Sequence, residues 1–328
     1  MSLTGVLLVA EQRNGEPRRM ALELATRARQ LADEGCGPVS AVVIGPGASA
    51  AAEKLGEYGV ERAFVSEDKR CGSFPVVAEA AVVERAVQAV APLIVLIAAS
   101  NAGRDVAARL SARLGLGVIA AATDVRVAEG QPVVTCPVFG GSIVEEKGFV
   151  DGRGVVLMRP NAVSAEASPA SIQTAIEFLD VVIETGHAAE IVETAAESSS
   201  SLPVEESSVV VAGGRGLGTA EGFELLRELA RELDGAVGST RPAVDAGWID
   251  YATQIGLTGK IVKPKLYIAL GVSGAVQHRI GMQTSEVIVA VNRNPDASIF
   301  QYSDFGVVGD LFEIVPRLIE SIRKRKQG

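Results

Sequence analysis

Leu266-Tyr-Ile-Ala-Leu270, followed at once by Gly271-Val-Ser-Gly-Ala-Val-Gln-His278, is the stretch on which the reading of this chain turns. The first five residues form an apolar run with the length of a buried strand. Gly271 and Gly274 then allow a tight turn and a close approach of backbone to a ligand. Ser273, Gln277 and His278 bring a hydroxyl, an amide and an imidazole to one strand end, which is where open α/β sheets hold ligands. Taken alone, the octapeptide reads more simply as a strand-to-helix turn with His278 a satisfied core histidine.

It does not stand alone. Gly213-Gly-Arg-Gly216, Gly238-Ser-Thr-Arg241 and Gln254-Ile-Gly-Leu-Thr-Gly-Lys260 precede it. Ala290-Val-Asn292 and Ser303-Asp-Phe-Gly-Val-Val-Gly-Asp310 follow. Each begins at the end of an apolar run or in a glycine-rich turn, as a sheet holding a large polar cofactor requires. In this order the motifs resemble the FAD-binding domain of electron transfer flavoprotein alpha subunits, the nitrogen-fixation-associated homologues included. The resemblance is detailed from Val209 onward and only architectural before it.

Composition bounds the alternatives. The chain has 328 residues, enough for two domains, and 48% are apolar. Aromatic residues make up 4% and the net charge is −9, both against a nucleic-acid surface. Cys36, Cys71 and Cys136 are far apart and odd in number, which indicates neither a disulfide framework nor a metal cluster. No apolar run reaches membrane-spanning length. A strand starts at Val6-Leu-Leu-Val9, so no targeting segment is expected and a cytoplasmic location fits.

The pattern predicts an α/β protein of two domains, residues 1–200 and 201–328. In the first, strands at 5–10, 39–44, 62–65 and 92–98 alternate with helices at 18–33, 50–58, 74–90 and 103–114, which predicts a parallel sheet with 92–98 as its central strand. Runs at 118–127, 133–139, 142–150 and 155–159, with hairpin turns at Glu129-Gly130 and Asp151-Gly152, read as an antiparallel extension of that sheet. Ser100 or Asn101 is expected to cap the helix after the fourth strand. Residues 161–208 read as a connector with an edge strand over 188–194, an exposed His187 and a polar linker at 197–203. The second domain is expected to be a Rossmann-like parallel sheet that binds FAD.

Neither nucleotide motif with fixed spacing is present. Gly214-Arg-Gly216 is followed three residues on by Thr219, which breaks the dinucleotide fingerprint, and Ile261 stands where a Walker A loop needs Ser or Thr. Arg215, among three glycines, reads as a ligand contact ahead of a surface arginine. Arg241 reads as a ligand cation or as the partner of Asp245. The resemblance makes Arg215 the arginine of the family's G-R-G motif, Arg241 the flavin-side cation, and Thr240 a stand-in for the usual serine. It implies that Thr258 donates to flavin N5, with Gln254, Ile255 and Gly256 in the same loop, whose backbone N–H groups meet the pyrophosphate. His278 falls near the flavin C2 carbonyl and is expected to donate there in either protonation state. Ser273 and Gln277 reach the phosphates and ribityl chain beside Gly271 and Gly274, and Asn292 and Asp304 hold the adenosine end. Leu257 departs from the family's glutamine and Asn294 from its aspartate. Trp248 reads as packing.

By resemblance, then, the chain is an alpha subunit that pairs with a beta subunit carrying AMP or a second FAD. Its FAD receives electrons from flavin dehydrogenases, such as those of fatty acid β-oxidation, and passes them to a quinone oxidoreductase or another acceptor, with no substrate chemistry of its own. The alternatives are the alpha subunit of an electron-bifurcating complex and, remotely, an NAD-binding enzyme.

Overall fold

The computed structural model describes residues 5–139, 143–186, 188–193, 203–205 and 207–327. His187, Thr194 and residues 197–202 of the polar linker lie outside the described residues. The chain separates into two compact units, Met1–Ala195 and Ala196–Gly328.

The first unit runs β1 (Val6–Ala10), a small ribbon of β2 (Gln12–Arg13) and β3 (Glu16–Pro17), α1 (Arg19–Asp33), β4 (Val39–Ile44), α2 (Ala48–Leu55), β5 (Arg62–Ser66), α3 (Arg70–Ser73), α4 (Pro75–Val90), β6 (Ile94–Ala98) and α5 (Asn101–Leu114). Then come β7 (Gly117–Ala122), β8 (Asp124–Ala128), β9 (Gln131–Val138), β10 (Ile143–Lys147), β11 (Gly154–Met158) and β12 (Ala175–Phe178). Seven strands form a parallel sheet in the order β12-β5-β4-β1-β6-β11-β7. The middle strand is therefore β1, with the expected central strand, β6, beside it. Leu7 and Leu8 point to opposite faces, and both are fully buried because helices cover both sides.

The expected antiparallel extension is a sheet of its own. β8, β9 and β10 pair antiparallel, whereas β7 and β11 belong to the parallel sheet. Ala121, at φ 62°, puts a bulge into β7, Ala122 still pairs with Met158, and from Thr123 the chain passes to the antiparallel sheet, so the single strand expected over 118–127 is broken there. Glu129 and Gly130, both at positive φ, make the expected β8–β9 turn. Asp151-Gly152 closes no hairpin, since β11 runs parallel to both its neighbours. The edge strand of the connector is β12 on β5, and residues 188–193 form no strand.

The second unit contains β13 (Val209–Gly213), α6 (Gly222–Glu232), β14 (Ala236–Ser239), α7 (Arg241–Asp245), β15 (Leu266–Leu270), α8 (Val276–Arg279), β16 (Val287–Asn292), β17 (Phe305–Val308) and α9 (Leu311–Gln327). Its sheet is parallel throughout, in the order β14-β13-β15-β16-β17. On α6, Phe223, Leu226, Leu229 and Ala230 form one apolar face, and α9 supplies Leu311, Val315 and Ile319 to the same core. The basic end of α9 does more than complement its helix terminus, because Arg323 pairs with Glu232 at 2.7 Å and Glu228 at 3.0 Å. Trp248 packs partly buried on this core. The chain goes from β13 outward to β14, then back across to β15, so the order reverses between β13 and β15. In open α/β sheets that reversal opens a crevice at the carboxyl ends of the strands.

Candidate cofactor site

The crevice is built from backbone. Gly214 N–H donates to Leu270 O at 3.1 Å and Gly216 N–H to Gly271 O at 3.0 Å. A Cβ on Gly216 would meet Gly271 Cα at 2.6 Å, so the two loops touch only because both positions are glycine. Gly274, at φ 86°, lies so close to Ile299 that a Cβ would meet its nitrogen at 2.3 Å. The chain between is thereby pinned in an open turn. Among the described residues, the N–H groups from Val272 through Gln277 are given to no protein acceptor. Ser273 and Gln277 are exposed. Such a run of unspent donors is a site for an anion.

The loop 254–260 is laid beside this turn. Ile255 N–H donates to Ser239 O at 2.9 Å and Leu257 N–H to Gln277 O at 2.7 Å. Gly256, Gly259 and Lys260 donate to Lys260 O, Gly256 O and Gln254 O. The expectation that this loop's N–H groups meet a pyrophosphate therefore fails for all but Thr258, since the others are spent within the loop or on Tyr251, Ser239 and Gln277. The free donors lie in 272–277 instead. Thr258 is exposed, and Gln254 is buried with its Nε2 3.1 Å from Thr258 Oγ1. Leu257 turns its side chain outward. Thr240, buried, precedes α7 and donates its N–H to Gly213 O at 3.0 Å. Arg241 opens that helix with its side chain 64% exposed, pairing with Asp245 at 3.3 Å. Arg215 is exposed and, among the described residues, has no carboxylate partner.

His278 differs from expectation. It is 6% exposed, and both ring nitrogens are bonded within the protein. Nδ1 lies 2.9 Å from Ile255 O, a carbonyl that only accepts, so Nδ1 carries the proton. Nε2 then accepts from the Tyr267 hydroxyl, also at 2.9 Å. Burial depresses the imidazole pKa to about 4, against the opposing pull of the Ile255 carbonyl. His278 is thus a neutral latch between β15, α8 and the 254–260 loop, with no proton left for a ligand in this arrangement.

Asn292 sits at the carboxyl end of β16, where its amide donates to Val272 O at 2.8 Å and accepts from Asn294 N at 2.9 Å. It braces the turn from below. Asp304 is at the other end of the sheet. Its carboxylate accepts from Ile288 N at 2.7 Å, near the start of β16, and β17 begins immediately after it. Because β16 and β17 are parallel, Asp304 lies at their amino ends, about 13 Å of strand from the level of Asn292. The acid at the carboxyl edge is Asp310, which caps Phe312 N at 2.9 Å and pairs with Arg293, beside Gly309 N–H bonded to Asn292 O at 3.0 Å. Asp310 stands in the motif already quoted. Treating 305–308 as a strand would have separated the two acids onto opposite edges.

Among the described residues no His, Cys, Asp and Glu group is arranged to hold a metal, and no helix is long and apolar enough to cross a membrane.

The comparisons with known proteins cover both units. Residues 6–184 match the family model for the electron transfer flavoprotein domain, and residues 203–283 that for the electron transfer flavoprotein FAD-binding domain. The chain is 38% identical over 319 residues to an electron transfer flavoprotein subunit alpha of Bacillus subtilis, covering 97% of each chain. It is 41% identical over 336 residues to the subunit alpha of Mycobacterium tuberculosis, covering 98% of this chain and 99% of that one. Protein FixB of Clostridium saccharobutylicum is 34% identical over 323 residues, covering 98% of this chain and 96% of its own. With two domain models matched in order and near-complete coverage at these identities, the chain belongs to the electron transfer flavoprotein alpha-subunit family.

Proposed function

We propose that the second unit holds one FAD along the carboxyl edge of its sheet and that the chain works as an electron carrier in a complex with a beta subunit. The observation that carries this is the run of unspent N–H groups from Val272 to Gln277 at the point where the strand order reverses. A dinucleotide's pyrophosphate needs such backbone donors, and glycine at 271 and 274 keeps side chains out of the way. The turn therefore fits the group.

In this reading Ser273 and Gln277 bind the phosphates and ribityl chain with the turn's N–H groups. Gly214 to Gly216 let Arg215 stand over the edge, and Arg241 supplies a fixed positive charge to the ring, screened in part by Asp245. Thr240, Ile255 and Gly256 line the ring, and Thr258 offers a hydroxyl to it. Asn292 braces the adenosine end, where Asp310 takes the part expected of Asp304. His278 keeps the loop against α8 and donates nothing. When bound, FAD supplies the redox chemistry, and the chain supplies affinity, orientation and field.

The finer reading extends to partners. The first unit, together with residues to about 200, contacts a beta subunit that carries AMP or a second FAD. Electrons arrive from flavin dehydrogenases and leave to a quinone oxidoreductase or another acceptor, in the cytoplasm. The test is co-purification with a beta subunit, followed by counting flavin and AMP. One FAD and one AMP per complex support simple transfer, two FAD support bifurcation, and a colourless complex overturns the proposal.

A further inference from the structure

We propose that Gln254 is a positioning residue that fixes the Thr258 hydroxyl as a hydrogen-bond donor toward the flavin. The inference rests on the FAD reading above and adds the group that sets its polarity. Gln254 is 3% exposed, and its Nε2 donates to Thr258 Oγ1 at 3.1 Å. A hydroxyl that accepts on its protein side has its own proton left to give on the open side.

The main chain that carries this amide is held from several directions. Gln254 N–H donates to Tyr251 O at 2.9 Å, and Gln254 O accepts from Lys260 N at 2.7 Å. Gly259 lies against it so closely that a Cβ there would meet Gln254 O at 2.4 Å and Cγ at 3.0 Å. The preceding turn is itself anchored. Thr253 gives its hydroxyl proton to Asp250 O at 2.7 Å and so accepts from Ser239 Oγ at 2.9 Å, at the end of β14. Tyr251 completes the clamp by donating its hydroxyl to Thr258 O at 2.7 Å. The hydroxyl and the carbonyl of Thr258 are thus both bound by the turn 251–254, which is docked on the sheet.

A committed donor selects its ligand atom. It matches a ring nitrogen that carries no proton and mismatches an N–H. The oxidised isoalloxazine ring presents bare N5, so the clamp favours that form at this position.

Gln254→Glu reverses the polarity, because a carboxylate only accepts and draws the Thr258 proton inward. In the alpha–beta complex we expect Gln254→Glu to weaken oxidised FAD about fivefold to tenfold, the weight of one hydrogen bond and a mismatch. The visible absorption bands of the bound flavin should move toward those of free FAD. Thr258→Ala should add almost nothing in the Gln254→Glu background, although it weakens FAD about threefold in the wild type. Gln254→Met, which removes the amide without adding charge, should weaken FAD about twofold and also erase most of the Thr258→Ala effect. Circular dichroism establishes that each variant is folded, and Gln254→Met serves if the charged variant is not. Unchanged affinity and spectrum in both Gln254 variants, or a full Thr258→Ala effect in either background, overturns the proposal. A wild-type complex that takes up no FAD overturns the functional reading beneath it, which is a separate and visible result.

Discussion

At the carboxyl edge of the first sheet, between β1 and β6, Glu11 turns its carboxylate onto the Ser100 hydroxyl and pairs with Arg18 at 3.2 Å. Ser100 also caps α5 by accepting from Gly103 N at 2.9 Å, and Gln12 donates to Ile44 O and Pro46 O. At the equivalent edge of the second sheet, between β13 and β15, the N–H groups of 272–277 meet no acceptor among the described residues. Both edges lie where strand order reverses. Topology therefore offers a ligand crevice twice, and the first residue past the strand decides its use. Glu11 follows β1 and brings its own anion, whereas Gly271 follows β15 and brings nothing that could occupy the space.

The harshest test of this contrast is Gly274→Ala. The residue is at φ 86° and faces Ile299 backbone, so the methyl group has no way out. We expect a loss of about 4 kcal/mol in the second unit and purification without flavin. Trp248 is the single tryptophan and packs on the second core, so its fluorescence during denaturant unfolding reports that unit. Retained flavin and an unshifted transition would mean that the turn is not rigid.

The second test uses pH, to which the units should respond in opposite senses. His278 has a folded pKa of about 4, below its ordinary value of 6.5. Its contribution is present above about pH 6.5 and is lost as pH falls through about 4, up to about 3 kcal/mol. In the first unit, burial and then the charge of Glu11 push Glu79 up to about 7, above the ordinary 4.5. That contribution is present below about pH 4.5 and is lost as pH rises through about 7. Tryptophan fluorescence should therefore show the second unit weakening toward acid. Far-UV circular dichroism should show a first-unit loss toward neutral pH that Glu79→Gln removes. Parallel pH profiles for the two signals would contradict the assignment.

A third test copies the first edge into the second. Ser273→Asp places a carboxylate among the free N–H groups, as Glu11 does beside α5, and should weaken FAD by about tenfold or more through competition and repulsion. Equilibrium flavin titration measures it. Unchanged affinity would put the pyrophosphate elsewhere. The smallest effect is expected from Ser100→Ala, which removes the α5 cap and one partner of Glu11. A stability loss of about 1 kcal/mol, with flavin content unaltered, is the expected outcome in thermal unfolding.

Most of the fold was open to reading because its inner strands are buried on both faces and its helices carry apolar stripes. Val39–Ile44 and the run ending at Leu270 could hardly be anything but inner strands. The 117–147 region was harder, since alternating residues look alike whether a strand joins a parallel sheet or pairs with its own hairpin. The bulge at Ala121 and the break at Thr123, which separates the two, leave no trace in residue type.

The sequence by itself determined that polar, glycine-rich loops close a parallel sheet, and which family such loops resemble. That follows from local causes: apolar runs, glycine freedom and the order of motifs along the chain. Tertiary structure alone decided which polar groups remain free. His278 spends its ring nitrogens on Tyr267 and Ile255, and the N–H groups of 254–260 other than that of Thr258 go to Tyr251, Ser239, Gln277 and one another, while among the described residues the N–H groups of Val272 to Gln277 find no acceptor. Asp304 and Asp310 are the same residue type six positions apart, and only the parallel pairing of β16 with β17 sends one to each edge. A donor's availability depends on what folds against it, and that is set by contacts between segments far apart in the chain.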